Sequence, residues 1–141
     1  MMNGYQQYKT QSVSTMTKGE MLILLYDEIL KRMKRAELEK KENQIEQFEA
    51  DIQRAIEIIN YLSKSLDMKY PISMNLYRLY DFFTFQLNRV KASRDIKLLE
   101  DLYPMISELR DSFKEADKKT KTDPRVGAGI GGTTGSIFGV G

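Results

Sequence analysis

The chain has 141 residues, enough for one domain with a packed core. Charged residues are 30% and hydrophobic ones 41%, and the net charge of +2 is too balanced to imply a nucleic-acid partner by itself. There is no cysteine and no histidine, which excludes disulfides, thiol chemistry, the commonest general base and the Glu-x-x-His ligands of a di-iron bundle. No window approaches the ~18 uninterrupted apolar residues of a membrane span. The opening MMNGYQQYKT lacks the apolar core of a secretory signal, so the expected location is the cytosol.

Residues 1–16 read as a polar, loosely held arm with no sustained periodicity. Tyr5 and Tyr8 are three apart and would share one side of a helical turn. The alternative is a disordered tail with incidental aromatics. Thr17-Lys18-Gly19-Glu20 fits a capping box and opens a first helix running to about Lys41. Its apolar stripe is Leu22, Leu25, Tyr26, Ile29, Met33 and Ala36, with Ile23 and Leu24 in surplus. From Lys31 to Lys41 the helix is basic, read either as a nucleic-acid patch or as a solvated face. The solvated face is favoured, because Glu42 to Glu57 is acidic and a turn near Lys41 to Asn43 would lay it antiparallel beside the basic half.

The second helix carries a seam with steps alternating three and four: Ile45, Phe48, Ile52, Ala55, Ile59, Leu62 and Leu66. Ile58 and Tyr61 lie off it. The segment Asp67 to Ser73 contains Pro71 and reads as the next connection, with Ser73 as N-cap. A third helix is expected from about Met74 to Lys91, with Leu76, Leu79, Tyr80, Phe83, Leu87 and Val90 facing the core. Met74, Tyr77 and Phe85 project away from that stripe and Phe82 lies at its flank, so the helix is apolar on more than one side. An antiparallel neighbour would bring Ile58 and Tyr61 beside its start, joining the surplus into one surface.

A fourth helix starts near Asp95, with a stripe of Leu98, Leu99, Leu102, Ile106, Leu109, Phe113 and Ala116. The stripe stays in phase across Pro104, which predicts a kink rather than two helices. Beyond Lys121 the composition changes, and seven of the fifteen residues from Gly127 are glycine. Residues 122–141 therefore read as a flexible tail, either inert or carrying a weak docking pair in Ile137 and Phe138.

Catalytic chemistry is missing. No phosphate-cradling loop follows a strand, the serines and threonines of the arm have no activating base, and Asp67 and Asp81 are isolated carboxylates. No enzyme activity, metal or cofactor is expected.

Five stretches, in order, resemble the FliS family of flagellar secretion chaperones. They are GYQQYK at Gly4 to Lys9; Ser12-Val13 followed by Thr17 to Glu20; LILLYDE at Leu22 to Glu28; NLYRLYDF at Asn75 to Phe82; and RDSFKE at Arg110 to Glu115. The likeness covers about Gly4 to Asp117. It departs at Glu28, where the family has glycine, at Phe113, where it has tryptophan, at Pro104, and in the glycine-rich tail. The resemblance implies an all-α fold: an antiparallel up-down four-helix bundle over residues 17–121, with the N-terminal arm outside it. It implies a cytosolic export chaperone that binds the disordered C-terminal segment of flagellin. Binding would prevent premature polymerisation and deliver the client to the flagellar export apparatus. Tyr5 and Tyr8 would belong to an arm that covers part of the binding surface when the client is absent.

Combined with the surplus apolar positions, this nominates Ile58, Tyr61, Met74, Tyr77 and Phe85 for the interface, with Asn75 and Asp81 as polar candidates. For Asn75 and Asp81 the alternative is helix capping and surface hydrogen bonding. The competing reading of the whole chain is a structural bundle that forms a homodimer through the same apolar surface.

Overall fold

A computed structural model describes residues 15–122, all-helical with no strand among them. Four helices follow one another: α1 Lys18–Lys41, α2 Ile45–Lys64, α3 Pro71–Ser93 and α4 Ile96–Thr122. Short connections make successive helices antiparallel neighbours. α1 packs on α2 and α4, α2 on α3, and α3 on α4 along the slightest of the four seams. The expected arm and glycine-rich tail lie outside the described residues, apart from 15, 16 and 122.

The stripes read from the sequence form the core. Tyr26, Ile29, Met33, Phe48, Ile52, Ile59, Tyr80, Phe83, Leu87, Leu99 and Leu102 are all fully buried. Each such side chain contributes about 1.5–3 kcal/mol by leaving water, which dwarfs any exposed ion pair of the surface. Leu30, Ile56 and Ile58 join the same core from the flanks of the stripes.

The helix ends have local causes. Thr17 Oγ1 accepts the Glu20 N–H at 3.1 Å and caps α1. At its other end Asn43 takes a left-handed φ of 59°, while the Gln44 N–H closes onto the Glu39 carbonyl at 2.8 Å. Asp95 accepts the Leu98 N–H at 3.2 Å, as an N-cap of α4 should.

α3 corrects the expectation. It begins at Pro71, three residues before Met74, with extended Tyr70 as N-cap. A proline at the first helical position gives up an N–H that had no partner anyway, so it starts the helix instead of preceding it. Ser73 is therefore inside the helix. It is fully buried, and its hydroxyl donates to the Asp67 carbonyl at 2.6 Å, tying the α2–α3 connection down. α4 runs through Pro104 as one helix. Pro104 is exposed, on the side of α4 away from the core, where water can reach the carbonyl that the ring displaces.

Candidate partner-binding surface

Opposite charges lie across the α1–α2 hairpin as the sequence implies. Arg32 Nη1 meets Asp51 Oδ1 at 2.8 Å, and Arg32 Nε meets Glu28 at 2.9 Å. Arg35 faces Asp51 at 3.6 Å. Lys34 lies over the Tyr103 ring, 4.4 Å from its centroid. Much of the basic run of α1 is thus engaged within the chain.

The matched stretches converge on one another. Tyr26 of LILLYDE and Tyr80 of NLYRLYDF share a buried hydroxyl–hydroxyl bond of 2.6 Å. Tyr26 packs on Phe113 of RDSFKE with ring centroids 5.6 Å apart. Asp27 accepts from Arg110. Tyr26, Tyr80 and Phe113 of these motifs therefore hold the bundle together.

The candidate residues separate once the helices are placed. Ile58 is the clearest correction: it is 4% exposed and part of the core. It stands one heptad beyond Asp51, on the flank of α2 that faces α1, so the spacing that puts it off the seam still buries it. Tyr61 is 49% exposed, on the outer side of α2, away from the flank where Gln53 accepts from Lys91 of α3. Ile58 therefore contributes nothing to an open surface. At the other end of this helix pair, a cleft between the start of α2 and the end of α3 is lined by Glu46, Glu49, Ala50, Gln53, Lys91 and Ala92.

On α3 the surplus apolar residues do reach the surface. Met74, Tyr77, Phe82 and Phe85 are all exposed, Phe85 at 63%. Met74, Arg78, Asp81 and Phe85 step by four, three and four along the side opposite the core. Asn75 and Asp81 are exposed too, and among the described residues neither side chain has a hydrogen-bond partner. With the helix starting at Pro71, neither is a cap. Tyr5 and Tyr8 lie outside the described residues.

The apolar recess of this face lies toward α4. A cleft of ≈ 290 Å³ is lined by Leu79 and Phe83 of α3 and by Met105, Glu108, Leu109 and Ser112 of α4. The exposed Phe82 ring lies 5.9 Å from that of Phe83, and Met105 is 39% exposed. Sequence reasoning missed Met105 and Leu109. Leu109 belongs to the core stripe in the sequence, and Met105 falls just beside it. The signal was the apolar Met105 next to the stripe, on the helix opposite Leu79. The slight α3–α4 seam leaves this recess open.

Among the described residues no helix is long and apolar enough to cross a membrane. The family described as "Flagellar protein FliS" matches residues 1–120. The chain is 26% identical over 128 residues to "Flagellar secretion chaperone FliS" of Bacillus subtilis (strain 168), covering 91% of this chain and 96% of that protein. It is 27% identical over 116 residues to the protein of the same name from Escherichia coli (strain K12), covering 79% of this chain and 85% of that one. A match over nearly the whole length, on a four-helix bundle whose shared motifs interlock at Tyr26, Tyr80 and Phe113, makes this chain a member of the FliS family.

Proposed function

We propose that this chain is a cytosolic export chaperone for flagellin. It takes the disordered C-terminal segment of flagellin along the outer face of α3 and into the α3–α4 cleft. The observation that carries this reading is the set of exposed apolar side chains on α3, Met74, Phe82 and Phe85, beside the cleft lined by Leu79, Met105 and Leu109. Large apolar side chains gathered on one face of a monomer call for a cover. An amphipathic segment that folds as it binds supplies one, through helix-in-groove packing. Ordering the client costs several kcal/mol of the gross contact energy, so the interface must be extensive. Asn75 and Asp81 border the face and offer hydrogen bonds to client backbone. The arm bearing Tyr5 and Tyr8 serves as the replaceable cover before the client arrives. Held in this way, flagellin does not polymerise in the cytosol and is passed to the export apparatus.

The test is alanine substitution at Phe82, Phe85 and Met105, measured by binding to a flagellin C-terminal segment. Each change in the contact centre weakens binding about tenfold or more while the fold is retained. Unchanged binding in all three variants places the groove elsewhere. Self-association that disappears in the same variants, with no dependence on flagellin, assigns the surface to a homodimer instead.

A further inference from the structure

One contact in the α1–α2 hairpin runs against its charge pattern. Asp51 is buried, with Arg32 on one carboxylate oxygen and Arg35 facing the other. Glu39 lies one turn beyond Arg35 on α1, and its carboxyl group meets that same Asp51. Glu39 Oε1 is enclosed, and no protein donor hydrogen-bonds to it. Two bare carboxylates in contact at a desolvated position repel each other. A proton held between them replaces the repulsion with a short, charge-assisted O–H···O⁻ bond.

We propose that Glu39 and Asp51 share a single proton in the folded chain, and that its loss loosens the α1–α2 hairpin. Asp51 is the ionised member, because it holds both guanidinium groups. Glu39 is the protonated one. Desolvation and then the Asp51 carboxylate push the Glu39 carboxyl up to about 7, against the opposing pull of Arg35 and Arg32. For Asp51, desolvation alone would raise the group, but the Glu39 hydrogen bond and the Arg32 guanidinium outweigh it and hold it below the usual range. The charged groups that act on the pair are Arg32 and Arg35 of α1, with Glu28 behind Arg32.

The sign of the effect follows from linkage. Between about 4.5 and about 7 the folded chain holds the Glu39 proton while the unfolded chain has released it. This contribution is complete below that window and is lost as pH rises through about 7. The chain has no histidine, so no other side chain ordinarily titrates between pH 6 and 8, and the window is clear for the measurement.

The experiment is a carbon-detected NMR titration of the side-chain carboxyl groups in the full chain, joined to urea unfolding at about pH 6 and pH 8. The Glu39 carboxyl is expected to titrate within about one unit of neutrality, and the unfolding constant to rise about tenfold across that interval. Glu39→Gln removes most of that rise. In Asp51→Asn the Glu39 midpoint falls, because the neighbouring carboxylate is gone while the pull of Arg35 and Arg32 remains. A wild-type Glu39 midpoint in the ordinary carboxylate range overturns the proposal. So does an undiminished pH dependence in Glu39→Gln, or an unmoved Glu39 midpoint in folded Asp51→Asn.

Discussion

Tyr26 and Tyr80 meet hydroxyl to hydroxyl, 2.6 Å apart, across the diagonal of the bundle. Both rings are fully buried, so each hydroxyl has given up water for this contact. Desolvation raises the pKa of both phenols, that of Tyr26 against the lowering effect of the Tyr80 hydroxyl, so both stay neutral at any physiological pH. The bond links α1 to α3, which are not neighbours around the bundle.

Tyr80→Phe removes the partner of the Tyr26 hydroxyl and leaves it in the core. The expected loss is about 1–3 kcal/mol, the cost of an unsatisfied buried polar group. The double variant Tyr26→Phe/Tyr80→Phe loses less than the two single variants summed, because no stranded hydroxyl of the pair remains. Equilibrium urea unfolding of the four proteins measures this, and strict additivity contradicts it.

Gly19 is a second close approach. A Cβ there would clash with the Asp117 carboxylate. Asp117 is also held by Lys121 at 3.2 Å, and Lys121 reaches Glu20 at 3.0 Å, so the start of α1 and the end of α4 are fastened at this point. Gly19→Ala must push the carboxylate aside and is expected to cost about 1–3 kcal/mol. In an Asp117→Ala background the same substitution costs distinctly less. An equal cost in both backgrounds would show that the Asp117 contact does not govern the position.

Ser73 distinguishes the observed start of α3 from the one its sequence suggests. At a true N-cap, aspartate serves as well as serine. Here the hydroxyl is inside the helix and donates to the Asp67 carbonyl. Ser73→Ala should lower stability by about 1 kcal/mol, and Ser73→Asp by more, since it turns a carboxylate toward a carbonyl in a buried place. A Ser73→Asp protein as stable as wild type would put the cap back at Ser73.

What could be read from the sequence was whatever depends on one helix at a time. The stripes of α2 and α3 predict their buried faces because the period of a helix fixes which residues share a side. The unbroken phase across Pro104 likewise predicts one α4. What could not be read was how the faces meet. Ile58 looks surplus when α2 is viewed alone, yet its flank is covered by α1 through the same approach that brings Asp51 to Arg32. Tyr61, off the same seam, stays exposed. The cleft at Leu79 and Met105 exists because α3 and α4 approach less closely than the other pairs, a property of packing that no single stripe encodes. Glu39 is similar: charge patterning predicts attraction between the two half-helices, while residue-level register sets one carboxylate against another.

The central claim is that the open face of α3 and its cleft with α4 receive a client that folds on binding. Isothermal titration calorimetry of this chain with the C-terminal segment of its own flagellin, repeated over several temperatures, tests it most directly. One-to-one binding with a strongly negative heat-capacity change, weakened by Met105→Ala and Phe82→Ala, is the predicted result. No heat of binding at roughly tens of micromolar, a concentration at which a specific interface of ordinary size is occupied, contradicts it.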